Sequence, residues 1–466
     1  MTTKTKQWLG FFAILAATLM NILDSTIVNV AAPAISLDLG AGESDLQWIA
    51  AAYTLALATG LLTGGRLGDM FGRRRILLIG IVGFVAASMA CAMAWSPESL
   101  IAARVVQGLF GAVMIPQAFG LIRDLFPPQE IGKAFAVFGP VIGLSTILGP
   151  VVAGLLVQAD VLGTGWRMVF GINLPLGLFA LLVGMRTLPR TSATSPGRLD
   201  VIGALFAGTG MVLVIFPLIQ GRELGWPIWT WGVLAAAVLI LFFFIRYQLS
   251  RKRSGRSTIV ELSVLSRRSY TSGVAFVLVF FGGIVGFGLA VGLYLQLGLG
   301  QSPIRASLTM TSWAIGAFIG SAFAAAMMAK LGRRILHIGL ALMGVSLIWL
   351  YEVIGSGSMF LPLVVYGTGM GMVFVPVFDI IMGEVADREM GSAASLLESV
   401  QQLGASLGIA VLGTIYFAVS KVDLPLAASK QVTLASLALT AAAFALVFLL
   451  PQKARAAHPL PEPAAA

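Results

Sequence analysis

Charge is scarce in this chain. Asp, Glu, Lys and Arg make up 11% of its 466 residues while 58% are hydrophobic, too little polar surface to clothe a water-soluble globule of this size. Cysteine is nearly absent: Cys91 stands alone inside an apolar run, which excludes an intramolecular disulfide and any Cys-based metal site. The two histidines, His337 and His458, lie far apart without ligand spacing, so no metal is expected. The connections between apolar runs hold no His, Cys or Ser constellation, which argues against an enzyme. None is long enough for the soluble output domain of a sensor. The net charge of +10 sits in short runs between apolar segments, not on one soluble face, so no nucleic-acid partner is expected.

What the chain has in abundance is apolar runs of membrane length. Spans are expected at 8–36, 46–68, 76–95, 99–122, 133–158, 166–186, 199–219, 228–248, 269–293, 303–329, 335–354, 360–383, 391–418 and 430–451, each near the ~20 residues that cross a hydrocarbon core of ~30 Å. The chain start imitates a signal peptide, with Lys4 and Lys6 before an apolar run. That run continues past any cleavage site and reads as a retained first helix. An even count puts both termini on one side. If that side is the cytoplasm of a bacterial inner membrane, 23 of the 30 Lys and Arg fall in cytoplasmic segments and five outside, at Arg167, Arg222, Arg305, Lys421 and Lys430; Arg66 and Arg104 lie within spans. This is the asymmetry of the positive-inside rule. The basic connection around 251–268 is expected to meet anionic lipid.

The chain also repeats itself. "FGRRRILLIG" at 71–80 recurs as "LGRRILHIG" at 331–339, and "VVQGLFGAVMIPQAFGLI" at 105–122 is echoed by "VVYGTGMGMVFVPVFDII" at 364–381. The offset near 260 pairs spans 2 to 5 with spans 10 to 13 and leaves spans 7 and 8 outside the duplication. The expected organisation is a six-helix half (1–190), two inserted helices (191–250), a basic cytoplasmic linker (251–268), a second six-helix half (269–452) and a cytoplasmic tail (453–466). Parallel repeats of this kind place a transport site near the midplane between halves.

Four acidic or basic groups stand out inside spans. Asp24 in "NILDSTIVNVAAPAI" (21–35) has no structural reason to interrupt an apolar helix, and an intramembrane carboxylate is a functional suspect by default. At ~1.5 Å per residue it lies ~24 Å from the inner end of span 1, while Arg104 lies within ~8 Å of the outer end of span 4, so the two share a depth. They can form a static pair or a proton-coupling pair in which burial and the neighbouring charge oppose each other. Asp379 and Glu398 belong to the inner third of spans 12 and 13 and replace Phe119 and, approximately, Gly139 of the first half. Each can bind protons or a cationic substrate, or simply reach water beside Gln401 and Gln402.

Several ordered motifs resemble those of the fourteen-helix drug:proton antiporters of the major facilitator superfamily. "LDSTIVNVAAP" (23–33) is similar to their first-helix motif, "GRLGDMFGRRR" (65–75) to the loop motif between helices 2 and 3, "RVVQG" (104–108) to the helix 4 motif and "GPVVAG" (149–154) to the exporter-associated helix 5 motif, with Ala153 where a second Gly is common. "WRMVFGINLPLG" (166–177) and "GRLDVIGAL" (197–205) resemble the openings of helices 6 and 7.

The resemblance implies an all-α polytopic membrane protein of the major facilitator fold, with two six-helix halves and two inserted helices. It implies a monomeric transporter that exchanges protons for hydrophobic small molecules, drugs and cations among them, by alternating access, without a cofactor. A dedicated metabolite carrier of the same fold is the alternative. Gly65, Asp69, Gly72, Arg73 and Arg74 are candidates for a cytoplasmic gate, because a carboxylate among arginines can lock helix ends by bonds that break on opening. The second repeat keeps Gly332, Arg333 and Arg334 but has Ala329 in place of Asp69. Gly149, Pro150 and Gly154 allow close helix approach. Tyr53, Tyr294, Gln296 and Trp313 are candidates for lining a substrate cavity.

Overall fold

A computed structural model describes residues 3–127, 130, 134, 137, 141, 149–160, 163–190, 199–254, 256, 258–259, 264, 267–383, 385, 390–420 and 424–452. These residues build α1 (Thr3–Leu39), α2 (Glu43–Phe71), α3 (Arg73–Ala92), α4 (Pro97–Leu125), α5 (Gly149–Ala159), α6 (Gly165–Thr187), α7 (Val201–Glu223), α8 (Ile228–Arg253), α9 (Arg268–Gly298), α10 (Pro303–Leu331), α11 (Arg334–Val353), α12 (Phe360–Met382), α13 (Met390–Ser420) and α14 (Pro425–Val447). Twelve of them are long and apolar enough to cross a bilayer, and the bent α2 makes a thirteenth. The chain is therefore a multi-pass membrane protein. The remaining expected span, 133–158, falls largely outside the described residues, with only its end visible as α5. Much of the basic linker and all of the 453–466 tail also lie outside them.

Helices are the natural solution in lipid because each satisfies its own backbone. Sequence marks their ends: Ser96 accepts from Ser99 N at 3.2 Å and caps α4 ahead of Pro97, while Gly72, at φ +87°, turns the chain from α2 into α3. A residue with a Cβ would be strained at that φ. The corresponding Gly332, at φ +52°, turns α10 into α11.

The duplicated sequence packs in a duplicated way. The contacts α2 with α4, α3 with α4 and α1 with α6 recur eight helices later as α10 with α12, α11 with α12 and α9 with α14. Glycines bring these backbones together: a Cβ on Gly64 would strike Ala112, one on Gly371 would strike Ala317, and Gly286 and Gly408 face each other across α9 and α13. Small residues are how membrane helices gain packing where lipid and leucine are equally apolar.

At the end of the bundle where α1 finishes and α2 begins, the far face, helices of the first sequence repeat meet helices of the second. Gln47 of α2 donates to the carbonyls of Ile409 (3.2 Å) and Ala410 (3.3 Å) on α13. Gln296 of α9 donates to Val30 O of α1 at 3.2 Å, and Gly154 of α5 lies against Pro303 and Ser307 of α10. Deeper in the bundle, Thr54 and Ser406 share a 2.7 Å bond across the same α2–α13 seam. The inserted α7 lies along that seam and contacts both α2 and α13, whereas α8 packs chiefly on α7 and exposes Trp231, Val238, Phe242 and Phe243.

Candidate functional site

Asp24 sits at the centre of a polar cluster inside an otherwise apolar half. α1 offers no second charge at this level, so its partners come from other helices. α4 carries Arg104 and Gln107 three residues apart on one helical face, and both point at α1. Arg104 Nη1 donates to Asp24 Oδ2 in a buried ion pair and to Gln107 Oε1 at 2.8 Å. Its Nε donates to Ile49 O of α2 at 3.2 Å. Gln107 Nε2 donates to Asp24 Oδ1 and to Ser88 Oγ of α3, both at 2.7 Å. Asn173 of α6 reaches Asp24 Oδ1 at 3.2 Å and Ser88 Oγ at 3.1 Å. Helices α4 and α6 thus bond the carboxylate of α1 directly, and α2 and α3 bond the side chains that hold it.

Burial decides what this cluster is worth. Asp24 is 0% exposed and Arg104 1%. Two such charges cost several kcal/mol each to desolvate, and removing one partner of a buried pair typically costs about 3–5 kcal/mol. The arrangement compensates by filling the remaining sites: both oxygens of Asp24 accept hydrogen bonds, and the Arg104 guanidinium lies 4.2 Å from the Tyr53 ring centre, a geometry that favours a desolvated cation. Tyr53 OH in turn donates to Asn21 Oδ1 at 3.2 Å. Adding a proton to Asp24 would neutralise the acceptor and weaken its hold on Arg104 and the two amides.

Two local features fix the register. The far end of α1 is tied to α6, because Asp38 accepts from Trp166 Nε1 at 2.9 Å and from Arg167, and this sets the depth of Asn173 six residues further on. On the other flank, the bare side of Gly149 in α5 faces Thr26 and Leu23 of α1, so the small-residue motif packs beside the carboxylate. Pro150 is half-buried in the same turn.

The loop motif forms a second, looser cluster at the near face. Arg73 bridges Asp69 of α2 at 3.4 Å and Asp124 of α4 at 3.5 Å, with its stem laid along Gly120. Arg74 donates to Met185 O of α6. Gln117 Nε2 donates to Gly64 O at 2.8 Å, and its side chain occupies the space beside Gly68. The bare side of Gly65 faces Pro116 of α4 and Ser395 of α13. In the second repeat Arg333 instead donates to the carbonyls of Phe448 (3.0 Å) and Leu450 (2.6 Å) at the end of α14.

The second half places its candidates differently. Asp379 is exposed and Glu398 half-buried, and neither forms an ion pair or hydrogen bond among the described residues. Trp313 is 8% exposed, donates Nε1 to Met370 Sδ at 3.2 Å and packs edge-on to Tyr366. Tyr294 is buried at the far end of α9, and Gln296 is spent on the bond to α1. Tyr53 belongs to the Asp24 cluster. Gln107, Asn173 and Ser88 were not singled out from the sequence; their signal was there as isolated polar side chains in apolar runs, two of them inside quoted motifs.

The sequence pattern of the Major Facilitator Superfamily matches residues 14–202 and 193–409, and this chain belongs to that family of membrane transporters. The chain is 45% identical over 420 residues to the "Probable actinorhodin transporter" of Streptomyces coelicolor, covering 88% of this chain and 73% of the relative. It is 35% identical to the Tetracenomycin C resistance and export protein of Streptomyces glaucescens (88% and 76% covered). It is 28% identical to Multidrug efflux pump LfrA of Mycolicibacterium smegmatis (92% and 85%). Among solved structures, a peptide transporter POT in complex with sulfate superposes with a TM-score of 0.67 at 19% identity, over 97% of this chain and 99% of that one. At that identity the likeness speaks for the fold.

Proposed function

We propose that the protein is a proton-coupled antiporter of the bacterial inner membrane, with both termini cytoplasmic, that exports hydrophobic small molecules, cations among them, by alternating access. The observation that carries this reading is the ion pair of Asp24 and Arg104, sealed inside the first half and bonded by four helices. Such a pair is expensive as a mere staple and well suited to converting protonation into movement. The relatives named for export of tetracenomycin C and for multidrug efflux support the direction and the substrate class. On this reading the proton gradient supplies the energy without a cofactor, residues 1–190 and 269–452 are the moving halves, and 191–250 is inserted between them. A proton taken by Asp24 from outside loosens Arg104, Gln107 and Asn173 together, and α1 is freed to shift against α4 and α6. The cluster of Asp69, Arg73 and Asp124 opens and closes at the cytoplasmic face. Asp379 and Glu398, without a hydrogen-bond or ion-pair partner among the described residues, supply attraction for a cation in the second half.

A second reading is favoured by the 45% identity to a protein named for one compound: export of a single dedicated metabolite. A growth-inhibition panel of cationic and neutral drugs, read in cells expressing the protein with and without a protonophore, separates the two. Protection against several chemically unrelated drugs, lost when the gradient is collapsed, supports the broad exporter. Protection against none favours the dedicated carrier, and protection that survives the protonophore contradicts proton coupling in both.

A further inference from the structure

The inserted helices have no counterpart in the repeat, yet α7 is not idle in lipid. At its far end it holds both halves at once. Arg222 Nη1 donates to Glu43 Oε2 at 2.7 Å in the first turn of α2, where the helix dipole also favours a carboxylate. The next residue, Glu223, accepts from Ser44 N at 3.2 Å. On the opposite side the Arg222 guanidinium lies over the Phe417 ring of α13 at 5.5 Å, and Thr414 of α13 donates to Leu218 O of α7 at 2.9 Å. The Arg222 side chain is only 6% exposed, so these contacts are shielded from the solvent that usually reduces surface pairs to little.

The near end of α7 is held differently. Asp200 accepts from Gly203 N (3.0 Å), Tyr247 OH (3.1 Å) and Gln248 Nε2 (2.7 Å), all from α7 itself or from α8. Among the described residues, none of these Asp200 bonds reaches either half. Lower on α7 the contact with α2 carries no charge: Gly208 lies against the Thr59 methyl, and Thr59 Oγ1 donates to Met211 Sδ at 3.8 Å.

We infer that α7 is a clasp on the far side of the α2–α13 seam, with Arg222 its latch: it holds the far ends of the two halves together and must let go of one of them each time that side opens. The physical reason is geometric. Gln47 already joins α2 to α13 directly at this level, and a motion that parts these helices cannot keep both the Glu43 and the Thr414 bonds of one rigid helix. The inference rests on the alternating access proposed above but not on proton coupling, on Asp24 or on any substrate.

The test is a distance measurement on the full-length protein in lipid nanodiscs. Leu37 and Leu424 are 89% and 74% exposed at the far ends of the first and second half. Each is replaced by Cys and spin-labelled, while the buried Cys91 stays unlabelled. Arg222→Gln and Glu43→Gln should each raise the population of the longer distance relative to the shorter one by roughly three- to tenfold, the range for losing about one ordinary net hydrogen bond, since Glu43 is partly exposed. The double variant should add little to either, since both remove the same bond. Exchange of the two charges, Arg222→Glu with Glu43→Arg, should bring the short distance back. An unchanged distribution in the Glu43→Gln protein, whose substitution is at a partly exposed helix start and leaves folding intact, overturns the clasp, as do single effects that sum as independent sites.

Discussion

Tyr53 of α2 and Trp313 of α10 hold equivalent places: a Cβ on Gly108 of α4 would strike the carbonyl of Tyr53, and one on Gly367 of α12 would strike that of Trp313. The packing frame is thus the same in both halves while its contents differ. Where the first half has Arg104 and Gln107, the second has Leu363 and Tyr366. Tyr366 packs on Trp313 at 4.9 Å and on Phe287 of α9 at 5.1 Å between ring centres. An aromatic cluster does in one half what an ion pair with its amides does in the other. The same packing frame is thus held without charges in the second half, which supports the proposal that Asp24 and Arg104 serve something besides stability.

Gln107 is the hub of the first-half cluster, donating to Asp24 and Ser88 and accepting from Arg104. Gln107→Leu leaves those groups short of partners in a dry interior and should lower stability by about 1–3 kcal/mol, measured by denaturant unfolding in detergent, with a fall in transport. Asn173→Leu should cost less, because its bonds are longer, at 3.2 and 3.1 Å. Equal losses in the two variants would contradict the hub.

Asp69 and Arg73 are each about one-third exposed and 3.4 Å apart, so their pair is worth under about 1 kcal/mol to the resting fold. Asp69→Asn should leave thermal stability nearly unchanged while reducing turnover at least about tenfold, because a gate acts on the moving state. Arg75→Gln, at an exposed neighbouring position, should leave both unchanged. Wild-type turnover in the Asp69→Asn protein removes it from the gate.

The glycine seams tolerate no branching. Gly108→Val and Gly367→Val would each force a side chain into the facing backbone of α2 or α10, and each should reduce the amount of folded protein in the membrane severalfold. Gly232, on α8 with open space beside it, is the control: Gly232→Val should be made at wild-type levels. Loss at all three positions would mean the effect is one of helix propensity and not of packing.

Much of this was readable from the residues. Hydropathy places the helices, the echo at an offset near 260 pairs helices that pack alike, and depth along a 1.5 Å rise puts Asp24 and Arg104 in one plane. What stayed hidden was rotation. A helix apolar all round gives no sign of which face meets a neighbour, and Tyr53 and Trp313, cavity candidates by sequence, are packed against Asn21 and Arg104 and against Tyr366 and Met370. Gln107 and Asn173 were overlooked for the same reason. The role of α7 at the seam was equally illegible, because a helix outside the duplication has no partner in the sequence to compare with.

Asp379 and Glu398 are carboxylates in spans of the second half that have no ion-pair or hydrogen-bond partner among the described residues. Glu398→Gln and Asp379→Asn should weaken export of cationic compounds several times more than of neutral ones, read as drug-by-drug changes in inhibitory concentration. A uniform loss across both classes would instead make them part of the proton path.

The central claim is that protonation of Asp24 drives export, and its most direct test is proton-driven uptake of a fluorescent substrate into inverted vesicles bearing Asp24→Asn. The account predicts that proton-driven transport, normalised to the amount of protein in the membrane, is abolished; gradient-dependent transport at the wild-type rate per inserted protein by that variant would contradict it.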